Sequence, residues 1–258
     1  MKQFSGTIIS NTPLCDGYFE MEFSWEKGVQ PPEPGQFFTV RTADSSVPLL
    51  RRPFAFSAFN ENSRTASFVY QKRGPGTGLL AAKGGNDVID LLGPLGKPFV
   101  LPEKNQTALL VAGGIGIGPV LFLGTRIRNA NIPAILVFGC RTAANVPASA
   151  AFSALNPQVC TDDGSRGFKG TALDYCSTLS KTIVPSTVLY ACGPHPMLKG
   201  CHAFARDRGI VCHVSVEQIM ACGVGACMGC VVKVNHEPGF ARACAEGPVF
   251  DSSEIVWE

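Results

Sequence analysis

The chain has 258 residues, and its 22 basic and 20 acidic residues give a formal net charge of +2. Hydrophobic residues make up 45% of the chain and charged residues 16%, so a sizeable core is available and disorder is excluded. So small a net charge provides no general field to attract nucleic acid or a membrane surface. No apolar run is long enough for a transmembrane helix, and the N-terminus lacks the apolar region of a secretory signal, which predicts a cytoplasmic protein.

Residues 1–100 are predicted to be rich in β-strands. β-Branched and aromatic residues dominate four short runs, FSGTIIS, FFTVRTA, FAFSAF and ASFVYQK. Pro and Gly residues, as in QPPEPG, separate these runs, which is typical of strands joined by tight turns. Several short strands at this spacing predict an antiparallel barrel or sandwich.

Residues 101–212 have a different pattern. Nearly continuous apolar runs occur in TALLVAGG, PAILVFGC and STVLYACG, as expected for parallel strands covered on both faces. Helical segments are predicted between them, and this alternation favours a doubly wound α/β domain. Residues 213–258 are too few and too polar to hold a core of their own, so we expect this tail to depend on a bound centre or on docking to the rest of the chain.

Four of the eleven cysteines are clustered in this tail. Cys222, Cys227 and Cys230 have the spacing C-x4-C-x2-C, and Cys244 follows after thirteen residues. This is the plant-type ligand spacing of a [2Fe–2S] cluster, and the intervening glycines would let backbone N–H groups turn toward the sulfur atoms. Structural zinc more often uses two short cysteine pairs. Zinc and unligated buried thiols are the two less favoured alternatives.

Two glycine-rich loops could bind phosphate groups. Residues 109–119 have the pattern of a strand, a glycine turn and a helix start, which would let a pyrophosphate approach the backbone. The third position of the dinucleotide fingerprint is Pro119, and no acidic residue follows about 20 residues later, so a plain β–α turn is the alternative. Residues 72–78 could cradle another phosphate pair, although an ordinary turn is favoured. Arg51 and Arg52 could contact phosphate, or they could be solvated charges at the edge of a strand.

These segments, in this order, resemble the ferredoxin–NADP reductase superfamily over essentially the whole chain. The resemblance is closest to its iron–sulfur electron-transfer subunits of type B dihydroorotate dehydrogenase. The most specific part runs from Glu217 to Cys230 and from Arg242 to Asp251. The supporting motifs are Arg52-Pro53, Gly74-x-Gly76-Thr77, Gly93-Pro-Leu-Gly96, Gly113-Gly-Ile-Gly116 and Ala191-Cys192-Gly193-Pro194.

The resemblance implies an antiparallel FAD-binding barrel over residues 1–100, a doubly wound NAD-binding domain over residues 101–212 and a small [2Fe–2S] domain over residues 213–258. Carried over residue by residue, it assigns Arg52 to the FAD pyrophosphate, and Gly76 and Thr77 to the phosphates. The isoalloxazine would be lined by Pro53, Phe54 and Ala55. The flavin and ribityl chain would lie along Val69, Tyr70 and Gln71. One departure is Ala55, where the family usually has Ser or Thr. Ser57 is a candidate to supply the missing hydroxyl.

For NAD, the resemblance assigns Gly113, Gly114 and Gly116 to the pyrophosphate and Cys192 and Gly193 to the nicotinamide. Cys192 could equally be a small buried residue. The strand end at residues 139–141 could contact the adenosine half. A lone arginine there does not decide between NAD and NADP, and the resemblance favours NAD.

The implied function is to pass electrons from dihydroorotate oxidation, on a separate FMN-containing catalytic subunit, through [2Fe–2S] and FAD to NAD⁺ in pyrimidine biosynthesis. Two copies of each subunit would form a heterotetramer, with the surface around Val224 and Met228 as the contact. No acid–base catalytic residue is assigned. The alternatives are a flavin/iron–sulfur subunit of a ferredoxin-dependent NAD(P)H transhydrogenase or sulfhydrogenase, in some of which Asp replaces the first cysteine, and a non-enzymatic zinc scaffold.

Overall fold

The first half of the chain forms one antiparallel sheet in the computed structural model, which describes residues 1–43, 47–179 and 183–258. Its strands are β1 Lys2–Cys15, β2 Tyr18–Ser24, β3 Phe37–Arg41, β4 Arg52–Ala55, β5 Ala58–Asn60, β6 Thr65–Gln71 and β7 Val88–Leu95. Their order is β4-β3-β7-β1-β2-β6-β5. A short helix, α1 (Pro75–Ala81), follows β6.

Aromatic side chains fill the inside of this sheet. Phe38 on β3 packs edge-on against Phe68 on β6 with ring centroids 5.2 Å apart, and Phe54 on β4 lies 4.7 Å from the same ring. Strands from opposite ends of the strand order therefore face each other, which curls the sheet into a barrel. Phe23, Phe38 and Phe68 are fully buried, and each contributes about 1.5–3 kcal/mol relative to an exposed ring.

The second sheet is mostly parallel. Its strands are β8 Thr107–Gly113, β9 Ala134–Cys140, β10 Gln158–Thr161, β11 Phe168–Lys169, β12 Thr187–Cys192 and β13 Val211–Ser215. The helices between them are α2 Ile117–Asn129, α3 Ala150–Ser153, α4 Ala172–Thr178 and α5 His195–Arg206. Leu109 and Val111 of β8 pack in the core that contains α4 and α5, whereas Ala108 and Leu110 pack in the core that contains α2 and α3. The sheet is thus covered on both faces, as the apolar runs predicted.

The C-terminal segment adds a hairpin and one more strand. The hairpin is β14 (Val231–Lys233) with β15 (Phe240–Arg242), and β16 (Val249–Asp251) pairs antiparallel with β13 at the edge of the second sheet. The expected boundary at residues 212/213 therefore falls inside a strand. This difference has a physical reason, because the tail is too small for a separate core and shares the apolar cluster of the second sheet through Cys230, Val232 and Cys244.

The strand order of the second sheet, β11-β10-β9-β8-β12-β13-β16, places a topological switch beside β8. The chain leaves β8 toward β9 on one side, while β12 lies on the other. Ligands of open α/β sheets bind outside the carboxyl ends of the strands at such a point. At this edge α2 meets the barrel, because a β-carbon at Gly118 would lie 3.6 Å from Cβ of Val69.

No helix in the described parts of the chain combines the length and the apolar character needed to cross a bilayer.

Candidate functional site

A cavity of about 280 Å³ lies in the crevice between the barrel, the second sheet and the segment before the cysteines. Ten of the sequence-predicted FAD and NAD residues line it, namely Pro53, Phe54, Ala55, Val69, Tyr70, Gln71, Thr77, Gly116, Cys192 and Gly193. Phe37, Ser215 and Met220 line it too, and no local pattern in the sequence indicates their role. The structure thus brings together, in one crevice, residues as far apart in the chain as Phe37 and Met220.

Arg52, Gly76 and Thr42 lie together beside this cavity and form a cradle. A β-carbon at Gly76 would lie 3.1 Å from Nε of Arg52 and 3.5 Å from Oγ1 of Thr42. The Thr42 hydroxyl is buried and has no hydrogen-bond partner within residues 1–43, 47–179 and 183–258. A guanidinium group and an unsatisfied hydroxyl around a residue without a side chain suit an oxyanion. These residues fit a dinucleotide phosphate, and sequence reasoning missed Thr42.

The two neighbouring arginines have different roles. Nη2 of Arg51 pairs with Oδ2 of Asp90 at 2.6 Å, and its Nη1 donates to the Asp90 carbonyl oxygen at 3.1 Å. Arg51 is therefore tied to β7. Both arginines line a second, open cavity of about 900 Å³ that adjoins the first, but the guanidinium group beside Gly76 is that of Arg52.

Thr77 is the third residue of α1, the helix at the second glycine loop. Its Oγ1 accepts hydrogen bonds from the N–H groups of Arg73 at 2.9 Å and Gly74 at 3.1 Å. This pairing closes the turn in front of α1 and holds Thr77 at the cavity wall.

Strand β6 presents different residues to its two sides. Tyr70 is 1% exposed, and its hydroxyl donates to Oδ1 of Asn11 at 2.8 Å inside the barrel. Because side chains alternate along a strand, its neighbours Val69 and Gln71 are directed to the opposite side. Val69 and Gln71 are therefore better placed to contact a ligand in the cavity, and Tyr70 supports them from the core.

Ser57, the candidate for the hydroxyl expected near Ala55, is not among the residues that line the cavity. It is buried, and its Oγ has no hydrogen-bond partner among the residues that the structure describes. Ser215 on β13 does line the cavity and lies opposite Cys192 in the β12–β13 register. Burial raises the pKa of the Cys192 thiol to about 12, while the Ser215 hydroxyl acts in the opposite direction. The cavity thus holds a neutral thiol beside a hydroxyl.

The glycine turn after β8 packs against the strand end of β12. A β-carbon at Gly116 would clash with the Cys192 carbonyl oxygen, and one at Gly113 would lie 2.6 Å from Sδ of Met197. Gly114 has a φ of +52°, a conformation that L-residues with side chains rarely adopt. Gly113 and Gly114 do not line the cavity itself. They form the rim between the cavity and the carboxyl edge of the second sheet.

The four clustered cysteines are brought together by a loop and a hairpin. Cys230 and Cys244 are 2% and 3% exposed, Cys222 is half-buried and Cys227 is exposed. The N–H group of Gly225 donates to Sγ of Cys244 at 3.1 Å. A left-handed backbone at Gly225, with a φ of +81°, permits this turn toward the sulfur, as the glycine spacing predicted.

The thiols differ in their environment. The N–H group of Val224 is the main group that lowers the pKa of Cys222, to about 6, and the neighbouring Cys227 contributes. Burial raises the pKa of Cys244 to about 12, and its neighbour Cys230 adds to that rise. Each of these sulfur atoms therefore has another of the four nearby. No set of three His, Cys, Asp or Glu side chains in the described residues has the geometry of a single-ion site.

The cysteine loop also contacts the barrel. A β-carbon at Gly223 would lie 3.0 Å from Cγ2 of Thr39 and 4.0 Å from Cε2 of Phe37. Phe37 lines the cavity, so one aromatic side chain lies between the cavity and the loop. Four cysteine sulfur donors, two of which accept hydrogen bonds from backbone N–H groups of the loop, fit an iron–sulfur centre.

Comparisons with known proteins identify the family. A family model described as the iron–sulfur cluster binding domain of dihydroorotate dehydrogenase B matches residues 217–256. The dihydroorotate dehydrogenase B (NAD(+)) electron transfer subunit of Geobacillus sp. (strain WCH70) is 35% identical over 260 residues, covering 99% of each chain. The corresponding subunit of Geobacillus thermodenitrificans (strain NG80-2) is 37% identical over 254 residues, covering 97% of each chain.

Solved structures agree with this fold. The NADH-dependent reduced ferredoxin-NADP oxidoreductase superposes with a TM-score of 0.86 at 28% identity, covering 98% of this chain and 90% of that chain. A ferredoxin NADP⁺ reductase from Neisseria gonorrhoeae has a TM-score of 0.66 at 16% identity, covering 81% and 92%, and shows the fold alone. The predicted fold class is confirmed. The chain belongs to the family of the dihydroorotate dehydrogenase B (NAD(+)) electron transfer subunits.

Proposed function

We propose that this chain is the electron-transfer subunit of an NAD-dependent dihydroorotate dehydrogenase of type B. It takes electrons released by dihydroorotate oxidation and delivers them to NAD⁺, with a [2Fe–2S] cluster and FAD as its bound centres. The relatives that carry this name match the chain over nearly its full length, which supports the proposal. The predicted division into residues 1–100, 101–212 and 213–258 is part of this proposal, although β13 and β16 join the last two units into one sheet.

The observation that carries the proposal is the meeting of three regions in one crevice. The barrel contributes Phe54 and Val69 to the cavity, the second sheet contributes Cys192, and the segment before the cluster contributes Met220. The cysteine loop packs on Phe37 at the same place. A site that exchanges electrons among three centres needs them side by side, and this arrangement brings their binding residues within contact of one another.

The FAD would be held by residues from the barrel. Arg52 and Thr42 would take the pyrophosphate at Gly76, because a charged donor and an unsatisfied hydroxyl are already aimed there. Pro53, Ala55 and the β6 residues Val69 and Gln71 would line the flavin ring and ribityl chain. Flavin, when bound, joins two-electron hydride chemistry at nicotinamide to one-electron chemistry at iron.

The nicotinamide dinucleotide would lie across the glycine turn. Gly116 and Gly193 line the cavity wall, where the lack of a side chain lets the turn after β8 pack directly on the end of β12. Cys192 and Ser215 would border the nicotinamide with a neutral thiol and a hydroxyl. Ser215 is buried and Cys192 is partly buried at the sheet edge, so they would position the ring and exclude water. Neither the thiol nor the hydroxyl needs to donate or accept a proton in the reaction.

Cys222, Cys227, Cys230 and Cys244 would ligate the cluster. The exposed position of Cys227, together with the 43% exposure of Met228, places one edge of the loop at the surface. An electron-transfer subunit needs such an edge to receive electrons from a catalytic partner. The partner that fits is an FMN-containing subunit that oxidises dihydroorotate, in a heterotetramer with two copies of each chain.

The proposal is tested on tagged protein purified anaerobically from its own host with any partner attached. Dihydroorotate and NAD⁺ are added, and NADH formation is followed by absorbance. NADH formation establishes substrate, acceptor and partner together. A yellow-brown complex that carries flavin and iron but forms no NADH would contradict the proposal. It would instead favour a ferredoxin-dependent transhydrogenase or sulfhydrogenase, which reduced ferredoxin would test in the same cuvette. A colourless protein would contradict both and leave the zinc scaffold.

A further inference from the structure

The β1–β2 hairpin of the barrel reaches the nucleotide-binding edge of the second sheet. The N–H group of Asp16 donates to the carbonyl oxygen of Ala144 at 3.0 Å, and the N–H group of Ala148 donates to the carbonyl oxygen of Leu14 at 3.1 Å. These two backbone bonds join the hairpin tip to the loop that follows β9. The first residue of β2, Tyr18, is therefore fixed relative to both domains.

The Tyr18 hydroxyl lies beside the glycine turn. A β-carbon at Gly114 would lie 3.4 Å from the Tyr18 oxygen. On the barrel side, Tyr18 pairs in register with Gln71, which lines the cavity. The side chain of Tyr18 is half-buried, and its hydroxyl makes no hydrogen bond to any residue that the structure describes. A phenol held in this way has a free donor directed along the crevice rim.

Two guanidinium groups lie within electrostatic range of the same phenol. Burial is the main cause that raises the pKa of Tyr18, and the charges of Arg141 and Arg73 act in the opposite direction. The side chains of both arginines lack a hydrogen bond or ion pair within the described parts of the chain. Arg73 lines the cavity, and Arg141 directly follows β9. Asp162 and Asp163 follow the adjacent strand β10, and neither pairs with Arg141.

We propose that Tyr18 is a dinucleotide-binding residue, which donates a hydrogen bond to the diphosphate group of NAD(H) between Arg73 and Arg141. This inference rests on the proposed function and adds to it a contribution from the barrel. The two unpaired positive charges match the two negative charges of a diphosphate. Gly114 lets the backbone approach from the third side. The nicotinamide end then lies toward Cys192 in the cavity, and the adenosine end lies toward Arg141.

The test is Tyr18→Phe in the FAD-loaded complex, because this change keeps the ring and removes only the hydroxyl. Calorimetric titration with ADP-ribose, which has the diphosphate but no nicotinamide, is expected to give a Kd about tenfold or more above that of the unmodified protein, as for one hydrogen bond to a charged group. The KM for NADH should rise by a similar factor. The rate of flavin reduction at saturating NADH should stay unchanged.

Tyr175→Phe is the matched control. Tyr175 lies on α4, and its hydroxyl donates a hydrogen bond to Oε1 of Gln158 at 3.2 Å. Removal of this hydroxyl should leave ADP-ribose binding unchanged. Arg141→Gln is a second variant, and it should weaken ADP-ribose binding and reduce its dependence on salt. Unchanged ADP-ribose affinity in Tyr18→Phe would overturn the inference, as would an affinity loss that tracks a loss of FAD. If the unmodified complex binds neither NADH nor ADP-ribose, the proposed function itself fails.

Discussion

The guanidinium group of Arg242 donates a hydrogen bond of 2.5 Å to the carbonyl oxygen of Gly225, inside the loop that carries the cluster cysteines. The N–H group of the same glycine donates to Sγ of Cys244. Glu246 accepts from Nε of Arg242 at 2.9 Å and also from its Nη2. This two-pronged pair holds the guanidinium in one orientation. Both backbone polar groups of Gly225 are thus fixed, and with them the direction of an N–H group toward a ligand sulfur.

Glu246→Gln is expected to loosen this support, because it removes the negative charge that orients Arg242. Partners outside the ligand shell commonly change metal affinity by 10–100-fold, so iron should be lost to a chelator about tenfold faster. Glu237→Gln, in the turn of the β14–β15 hairpin, is a matched control. Equal rates of iron loss in Glu246→Gln and the unmodified protein would show that the pair does not support the loop.

Arg52→Gln is expected to weaken FAD binding while the fold is retained. Arg52 lies at the Gly76 cradle, and the loss of a charged hydrogen bond costs about 1.5–3 kcal/mol, which raises the Kd for FAD by about tenfold or more. Arg51→Gln is the informative comparison, because Arg51 pairs with Asp90 instead. That variant should lower the melting temperature and keep its FAD. If both variants lost FAD equally, Arg52 would have no special place at the phosphate.

Charge introduced at Val224 or Met228 is expected to weaken assembly with the catalytic partner. Both side chains are exposed apolar groups, 40% and 43% accessible, on the loop that carries the cluster. Burying a new carboxylate in an interface without a partner is costly, so Val224→Glu and Met228→Glu should reduce co-purification. NADH-driven flavin reduction should persist. Val88→Glu, at an exposed apolar site on the barrel, is the control and should assemble normally. If Val224→Glu and Met228→Glu assembled as well as this control, the interface would lie elsewhere.

The reduction of flavin by NADH is expected to show no pH dependence from Cys192. Burial disfavours the thiolate and raises the pKa of this thiol to about 12, so the group is protonated at every pH well below that value. Stopped-flow rates at saturating NADH, measured from about pH 6 to about pH 9, should therefore give profiles of the same shape in the unmodified protein and in Cys192→Ala. An alkaline limb that disappears in Cys192→Ala would mean that the thiol ionises in the working range.

The sequence predicts those features of this protein that depend on residues close together in the chain. The apolar runs of β8 and β9 indicate a covered parallel sheet, and the spacing from Cys222 to Cys230 indicates the cluster ligands. Thr42, Ser215 and Tyr18 have no such signal, because their roles come from contacts with residues distant in the chain. The pairing of β16 with β13 cannot be predicted from local sequence for the same reason. The three residues of β16 become a strand only because the edge of β13 is available to pair with them.

The most direct test of the account is to add NADH, under anaerobic conditions, to the holoprotein and record the electron paramagnetic resonance spectrum. If the flavin cavity and the cysteine loop are linked across Phe37, electrons from NADH should reach the iron. The spectrum of a reduced [2Fe–2S] centre should then appear, and removal of FAD should abolish it. Flavin that is bleached by NADH while the iron stays oxidised, although dithionite reduces it, would contradict the account.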